Sequence, residues 1–211
     1  MTTNDGLRRR VLRDDVVEHI VESIINGTLK PGDKIVETRI SRELHVSQGA
    51  VREAIRDLTA RGFVETEPYK GSKVRTLTVN DLHDYYAVRG ELEPIAAGWA
   101  YKLNTIDIDG LYCIVDTMQA AVLRKDADVV RKADLEFHRK IVEACGNKSL
   151  IRSWEALAND YWIYTIAYKG FNSDTSLSGH AESHRLIIKA IESGDINLMK
   201  ERLQSHFVNE I

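Results

Sequence analysis

The chain has 211 residues, a net charge of −3 and 43% hydrophobic residues. This length and hydrophobic content suffice for one large or two modest packed domains, and they argue against a chain that is disordered throughout. The two cysteines have no disulfide-framework or metal-binding spacing, and no stretch approaches the ~18 consecutive apolar residues of a membrane span. With a charged N-terminus instead of a secretory signal, we expect a cytoplasmic protein without membrane contact.

Charge is distributed unevenly along the chain. Residues 1–78 carry 14 Lys and Arg against 12 Asp and Glu, whereas residues 79–211 carry 15 against 20. A mildly basic front and an acidic back are compatible with nucleic-acid contact by the first segment, but two excess charges do not define such a site without a fold that concentrates them.

The first 77 residues predict three helices followed by a hairpin. The predicted elements are helices over 14–26, 37–44 and 47–61 and strands over 63–67 and 73–77. Ser47 is suited to cap the third helix, and Gly62 is suited to end it. This order of elements predicts a winged helix-turn-helix in residues 1–77.

From residue 78 onward, strand patterns give way to long helical patterns separated by short breaks. About six helices joined by short loops favour an antiparallel bundle over residues 78–211. The predicted fold class is therefore mainly α, with a winged helix-turn-helix followed by an all-α helical domain.

The third helix is the candidate reader of DNA, since the second helix of a helix-turn-helix enters the major groove with its N-terminal end. Gln48 can bond adenine, Arg52 can reach guanine or phosphate, and Gly49 allows close approach of the backbone. The Arg8–Arg10 run could follow phosphates from a flexible arm. The expected DNA contacts are Arg39, Ser47, Gln48, Gly49, Arg52, Lys70, Gly71 and Lys73. The alternative interpretation is a solvated helix face and a plain hairpin.

This first segment resembles the GntR-type regulators. The resemblance covers residues 12–77 and rests on the segments 25–32, 44–47, 51–55 with Leu58, and 62–64 leading to Gly71 and Val74. It implies binding to double-stranded operator DNA as a homodimer, usually to repress metabolic genes. Family members commonly have Arg and Pro where this chain has Gln48 and Ala50, which suggests a different operator sequence.

Four side chains of the second segment have spacing typical of a metal site. Asp134 and His138 are one helical turn apart, so they project from one face. His184 and His206 lie equally far in sequence from Asp195 in the turn between their helices, so both stand at the same height. One carboxylate and three imidazoles suit Zn²⁺, Ni²⁺ or another divalent transition metal. The alternatives are unrelated core or surface histidines, or replacement of one ligand by His180.

The second segment resembles the FCD effector domain of the FadR-like branch. The resemblance covers residues 79–211 and rests on 134–138, Gly146-Asn147, 183–185 with the Ile and Ala residues after it, Gly194-Asp195 and His206. It implies that the Asp and three His bind a metal, and that Arg89 faces the same cavity. A metal and a buried cation suit a small carboxylate effector. Arg89 could instead only pair with Glu93.

Two further residues, Asn159 and Tyr161, are expected to line the effector pocket, although Asn159 could equally lie on an exposed helix face. The resulting hypothesis is a regulator, acting as a repressor, that a small organic acid controls. Two alternatives stay open, a helical metalloenzyme with an accessory winged helix and a winged-helix module that binds proteins. Because no nucleophile motif and no general base appear beyond the proposed ligands, we expect no enzyme.

Overall fold

A computed structural model describes residues 3–76, 78–158 and 179–208. The chain divides into two compact units, Met1–Leu77 and Thr78–Ile211. Among the described helices, none combines the length and the apolar character needed to cross a membrane.

The first unit contains three helices and a small antiparallel sheet. The helices are α1 (Thr3–Ile25), α2 (Glu37–Glu43) and α3 (Gln48–Ala60), and the strands are β1 (Lys34–Ile35), β2 (Val64–Glu67) and β3 (Gly71–Val74). The strand order is β1-β3-β2, and β3 pairs with both neighbours. The predicted winged helix-turn-helix is confirmed.

Two local predictions for this unit are wrong, and one short strand was not predicted. The backbone of the Arg8–Arg10 run belongs to α1, not to a flexible arm, because the Leu, Arg and Val residues before Asp14 are compatible with a continuing helix. Strand β3 begins at Gly71 instead of Lys73, so the wing turn is tighter than expected. Strand β1 was not predicted, since two residues cannot show an alternating pattern.

The core of the first unit lies between α1 and α3. Val16, Ile20, Val51 and Leu58 are fully buried, and Val74 extends this core onto β3. Each such side chain contributes about 1.5–3 kcal/mol relative to exposure, so the apolar stripe of α3 holds that helix against α1 while its opposite face stays in solvent.

The second unit is helical throughout its described residues. Its helices are α4 (Val79–Leu103), α5 (Ile108–Leu123), α6 (Ala127–Ala144), α7 (Lys148–Ala158), α8 (His180–Ser193) and α9 (Ile196–Val208). The predicted all-α fold class is confirmed. Helix α4 packs on α6, α7 and α9, while α5 packs on α6 and α8.

Local sequence signals fix where the helices of this unit begin and end. Thr78 and Asp81 form a reciprocal capping box at the start of α4, and Asp107 and Asp126 cap α5 and α6. Gly194 ends α8 in the left-handed region at φ 71°, which a residue without Cβ adopts at little cost. The chain thus reverses directly into α9, and the two helices pack together as a hairpin.

Candidate functional sites

The N-terminal end of α3 presents the residues expected to read DNA. The Ser47 hydroxyl accepts a hydrogen bond from the Ala50 N–H at 3.2 Å, which confirms Ser47 as the N-cap. Gln48 and Gly49 follow it as the first helical residues, and both are exposed. The predicted surface therefore faces solvent at the start of a rigid helix, the geometry that base readout in the major groove requires.

Arg52 lies one turn further along α3 and is held by α2. Its Nε donates to Glu37 Oε2 at 2.7 Å, and its Nη2 lies 3.5 Å from Gln48 Oε1. The side chain is still 58% exposed. Arg39 lies on α2, as Glu37 does, and is exposed. Arg52 is therefore oriented by neighbouring side chains while keeping N–H donors available for a base or a phosphate.

The lysines of the wing are paired within the wing itself. Lys70 Nζ lies 2.8 Å from Glu67 Oε2, and Lys73 Nζ lies 3.0 Å from Glu67 Oε1 and 3.3 Å from Glu65 Oε2. Hydrogen bonds from the two lysines lower the pKa of Glu67. Gly71 begins β3 at φ 89°, in the left-handed region. Glu65 and Glu67 thus neutralise the two lysines that the sequence predicts to contact phosphates.

Asp134, His138, His184 and His206 converge in the interior of the second unit. Asp134 and His138 come from α6, and α8 and α9 contribute one histidine each. From Asp134 Oδ1, the Nε2 atoms of His184, His138 and His206 lie at 3.0, 3.7 and 3.8 Å. One ligand atom from each residue lies within 4.8 Å of all the others, and all four residues are buried.

This donor set fits a divalent metal. Ligand atoms about 2.1 Å from one ion are separated from each other by roughly 3–4 Å, and the observed separations from Asp134 fall in that range. Carboxylate and imidazole are donors that transition metals accept. Three imidazoles around one buried carboxylate are also a costly arrangement unless a cation or protons occupy it.

The ligands rest on a second layer of polar side chains. His138 Nδ1 lies 2.5 Å from Glu93 Oε2, and His206 Nδ1 lies 3.2 Å from Ser183 Oγ. Phe137 packs edge-on against His184 with 4.7 Å between ring centroids. Because the Nδ1 atoms of His138 and His206 are engaged outside the cluster, their Nε2 atoms are left for the shared centre.

Arg89 lies beside this cluster and is 1% exposed. Its Nε donates to Glu93 Oε1 at 2.8 Å and its Nη1 to the Tyr85 hydroxyl at 3.4 Å, while Nη2 has no hydrogen-bond partner among the described residues. The guanidinium carbon lies 4.7 Å from the centroid of the Phe207 ring. Arg89 therefore forms the pair with Glu93 that the alternative interpretation named, while the N–H donors of its buried Nη2 have no partner among the described residues.

Glu93 is a fully buried carboxylate in the middle of this network. Burial by itself raises its pKa, but the charge of Arg89, together with His138 and the Trp154 N–H, outweighs burial and lowers the pKa to about 2. Sequence reasoning considered Glu93 only as a partner of Arg89, one turn away. Its contacts to His138 and Trp154 join α4 to α6 and α7, and no short-range spacing signals them.

The structure does not describe the side chains of three residues that the sequence suggested for this site. Asn159 and Tyr161 lie outside the described residues, and so does the side chain of His180. His83, the fifth histidine of the second segment, lies on α4 and is exposed.

A winged helix-turn-helix with an exposed recognition helix, followed by a helical unit with a buried polar cluster, defines a DNA-binding regulator with a ligand-responsive domain. Residues 12–74 match the bacterial regulatory proteins of the gntR family, and residues 84–209 match the FCD domain. The chain belongs to the GntR family and carries an FCD domain. It is a transcriptional regulator, and members of this family are not enzymes.

Individual relatives agree with this assignment. The chain is 35% identical over 207 residues to the "Probable D-xylose utilization operon transcriptional repressor" of Paenarthrobacter nicotinovorans, which covers 97% of this chain and 89% of the relative. It is 25% identical to the "Gluconate operon transcriptional repressor" of Bacillus licheniformis, covering 87% and 77%. Among solved structures, E. coli McbR/YncC has the same fold, with a TM-score of 0.73 at 20% identity and 94% of each chain covered.

Proposed function

We propose that this regulator represses metabolic genes by binding operator DNA as a homodimer, and that a small carboxylate bound at a metal in the second unit controls that binding. The observation that carries the proposal is the convergence of Asp134 and three histidines beside Arg89. A metal accounts for the donor set, and an anion accounts for the remaining N–H group of Arg89.

Asp134, His138, His184 and His206 would hold the metal, and their chemistry favours Zn²⁺ or Ni²⁺. Four protein ligands leave coordination positions open on an ion that accepts five or six. When bound, the metal supplies a Lewis-acidic position for a carboxylate oxygen. Arg89 supplies a charged N–H donor to the same ligand, and Phe207 and Trp154 exclude water around the guanidinium.

The charges of the site select the class of effector. Asp134 and Glu93 carry two negative charges, and Arg89 with a divalent metal carries three positive charges, so one positive charge remains when the imidazoles are neutral. A buried uncompensated charge is costly, which favours a monoanion over a neutral ligand. The names of two relatives refer to a D-xylose utilization operon and a gluconate operon. We therefore propose a sugar acid with one carboxylate as the effector class.

Isothermal titration calorimetry of the nickel-loaded protein with D-gluconate, D-xylonate and D-xylose tests whether the effector is a sugar acid. We expect the two acids to bind and the neutral sugar not to bind, because only the acids bring the compensating charge. The Arg89→Gln variant should lose acid binding while retaining nickel. Equal binding of D-xylose and D-xylonate would contradict the proposed role of Arg89 and the metal.

An apolar stripe on α4 supports the homodimer. Val88, Ile95, Trp99 and Leu103 are exposed, and half-buried Leu92 continues the same face. Successive members of the stripe are four, three, four and four positions apart, so they follow one face of α4. Such an apolar face can pack antiparallel against the same helix of a second copy, which would form an isologous two-fold interface. In such a dimer, effector binding would move two winged helices into or out of register with half-sites about one helical turn apart.

A further inference from the structure

Glu93 contacts both a proposed metal ligand, His138, and the proposed effector-binding cation, Arg89, through its carboxylate oxygens. It lies on α4, is 0% exposed, and has no water-facing atom to satisfy its charge. A carboxylate in such a place is retained only when N–H donors surround it, because its desolvation is otherwise costly.

Three donors from three helices meet this carboxylate. Oε1 accepts from Arg89 Nε at 2.8 Å and from Trp154 Nε1 at 2.7 Å, and Oε2 contacts His138 Nδ1 at 2.5 Å. Arg89 and Trp154 can only donate, and the buried cation of Arg89 keeps the carboxylate of Glu93 ionised. An ionised carboxylate can only accept, so the proton in the contact with His138 lies on Nδ1.

This arrangement determines which nitrogen of His138 can coordinate. With the proton on Nδ1, the lone pair of His138 is on Nε2, which lies 3.7 Å from Asp134 Oδ1 and has no hydrogen-bond partner among the described residues. An outer carboxylate of this kind fixes the tautomer and orientation of a coordinating imidazole and increases its basicity. The same carboxylate holds the Nε side of Arg89, so its Nη2 is the N–H group left for an anion.

We propose that Glu93 is a positioning residue that fixes the tautomer of His138 for the metal and, through its other oxygen, fixes Arg89 for the effector. This inference rests on the proposed metal and effector site. Glu93 would thereby link the two sites. One carboxylate oxygen supports the metal ligand His138, and the other supports Arg89, which binds the anion.

The Glu93→Gln variant tests the inference, with Glu91→Gln as the matched control. Glu91 lies on the same helix, but its contacts, to Lys200 and Gln204, are at the surface. Zn²⁺ and Ni²⁺ affinities are measured for the full chain by competition with a chromogenic chelator. We expect about a 10–100-fold loss in Glu93→Gln, the range typical of outer-shell substitutions, and no loss in Glu91→Gln.

Long-range ¹H–¹⁵N NMR spectra of the histidine rings in the metal-free protein report the tautomer of His138. That tautomer would not change on substitution of Glu93 if the role of Glu93 were only structural. Wild type is expected to show His138 as the Nδ1–H tautomer, and Glu93→Gln to show a mixture. An Nε2–H tautomer in wild type would overturn the inference even if Glu93→Gln fails to fold. Unchanged metal affinity and tautomer in Glu93→Gln would overturn it while leaving the metal site intact, whereas a wild type that binds neither metal would overturn the proposed function itself.

Discussion

Arg52 of the recognition helix forms an ion pair with Glu37 of the preceding helix, with 2.7 Å between Nε and Oε2. The pair connects α3 to α2 on the exposed side of the helix-turn-helix. An exposed pair of this kind contributes little to stability, typically less than about 1 kcal/mol. Its main consequence is orientation: the guanidinium is held near Gln48, at the N-terminal end of α3 that we propose to face DNA.

Replacing Arg52 by Ala should weaken operator binding without changing metal content. Loss of one base or phosphate contact costs about 1–3 kcal/mol, which is roughly a 5–150-fold loss of affinity. Fluorescence anisotropy with an operator selected from random duplexes by the wild-type protein measures it. Arg61→Ala is the matched control, because Arg61 lies beyond the far end of α3 and pairs with Asp57. Unchanged binding by Arg52→Ala would refute the assignment of this surface to DNA.

Replacing Glu67 by Gln should strengthen binding to DNA of any sequence. Glu67 pairs with both wing lysines, so its neutralisation leaves Lys70 and Lys73 more available for phosphates. Each added phosphate contact increases the dependence of log K on log salt by about 0.9, and a steeper slope by about one to two is expected. The slope is measured between 50 and 200 mM salt, roughly the range in which counterion release is visible. An unchanged slope would show that the wing lysines do not reach DNA.

Much of this architecture follows from local sequence signals, and the exceptions have physical reasons. Short-range patterns predicted the Ser47 cap and the buried face of α3, and the structure shows both. The equal sequence distances of His184 and His206 from Asp195 predicted that the two rings lie side by side, and their centroids are 4.4 Å apart. Glu93 and His138 are 45 residues apart, so only packing of α4 on α6 brings them together. The pairing of Lys73 with Glu65 and Glu67 depends in the same way on the register of β2 and β3.

Replacing His138 by Ala should remove most of the bound metal and leave the winged helix folded. Inductively coupled plasma mass spectrometry measures metal per chain, and circular dichroism with thermal melting measures the fold. Added metal at a hundred times its dissociation constant should stabilise wild type by about 2.7 kcal/mol and the variant hardly at all. His83→Ala serves as control, since His83 is an exposed histidine on α4. Full metal retention by His138→Ala would exclude the proposed ligand set.

Replacing Trp99 by Glu should convert the proposed dimer into a monomer. A charge in the centre of an apolar isologous interface is buried twice, once from each copy, without a partner. Sedimentation velocity at micromolar concentration measures the state. Leu123→Glu places the same charge on an exposed leucine of α5, away from the stripe, and should leave the dimer intact. A dimer that survives Trp99→Glu would show that the α4 stripe is not the contact.

We propose above all that an acid acts on DNA binding through a metal held by Asp134, His138, His184 and His206. The most direct measurement is operator affinity of the metal-free and the nickel-loaded protein, each with and without D-gluconate or D-xylonate. We predict that at least one of the two acids changes operator affinity of the nickel-loaded protein and that neither changes that of the metal-free protein. An equal change in both forms, or none in either, would contradict the claim.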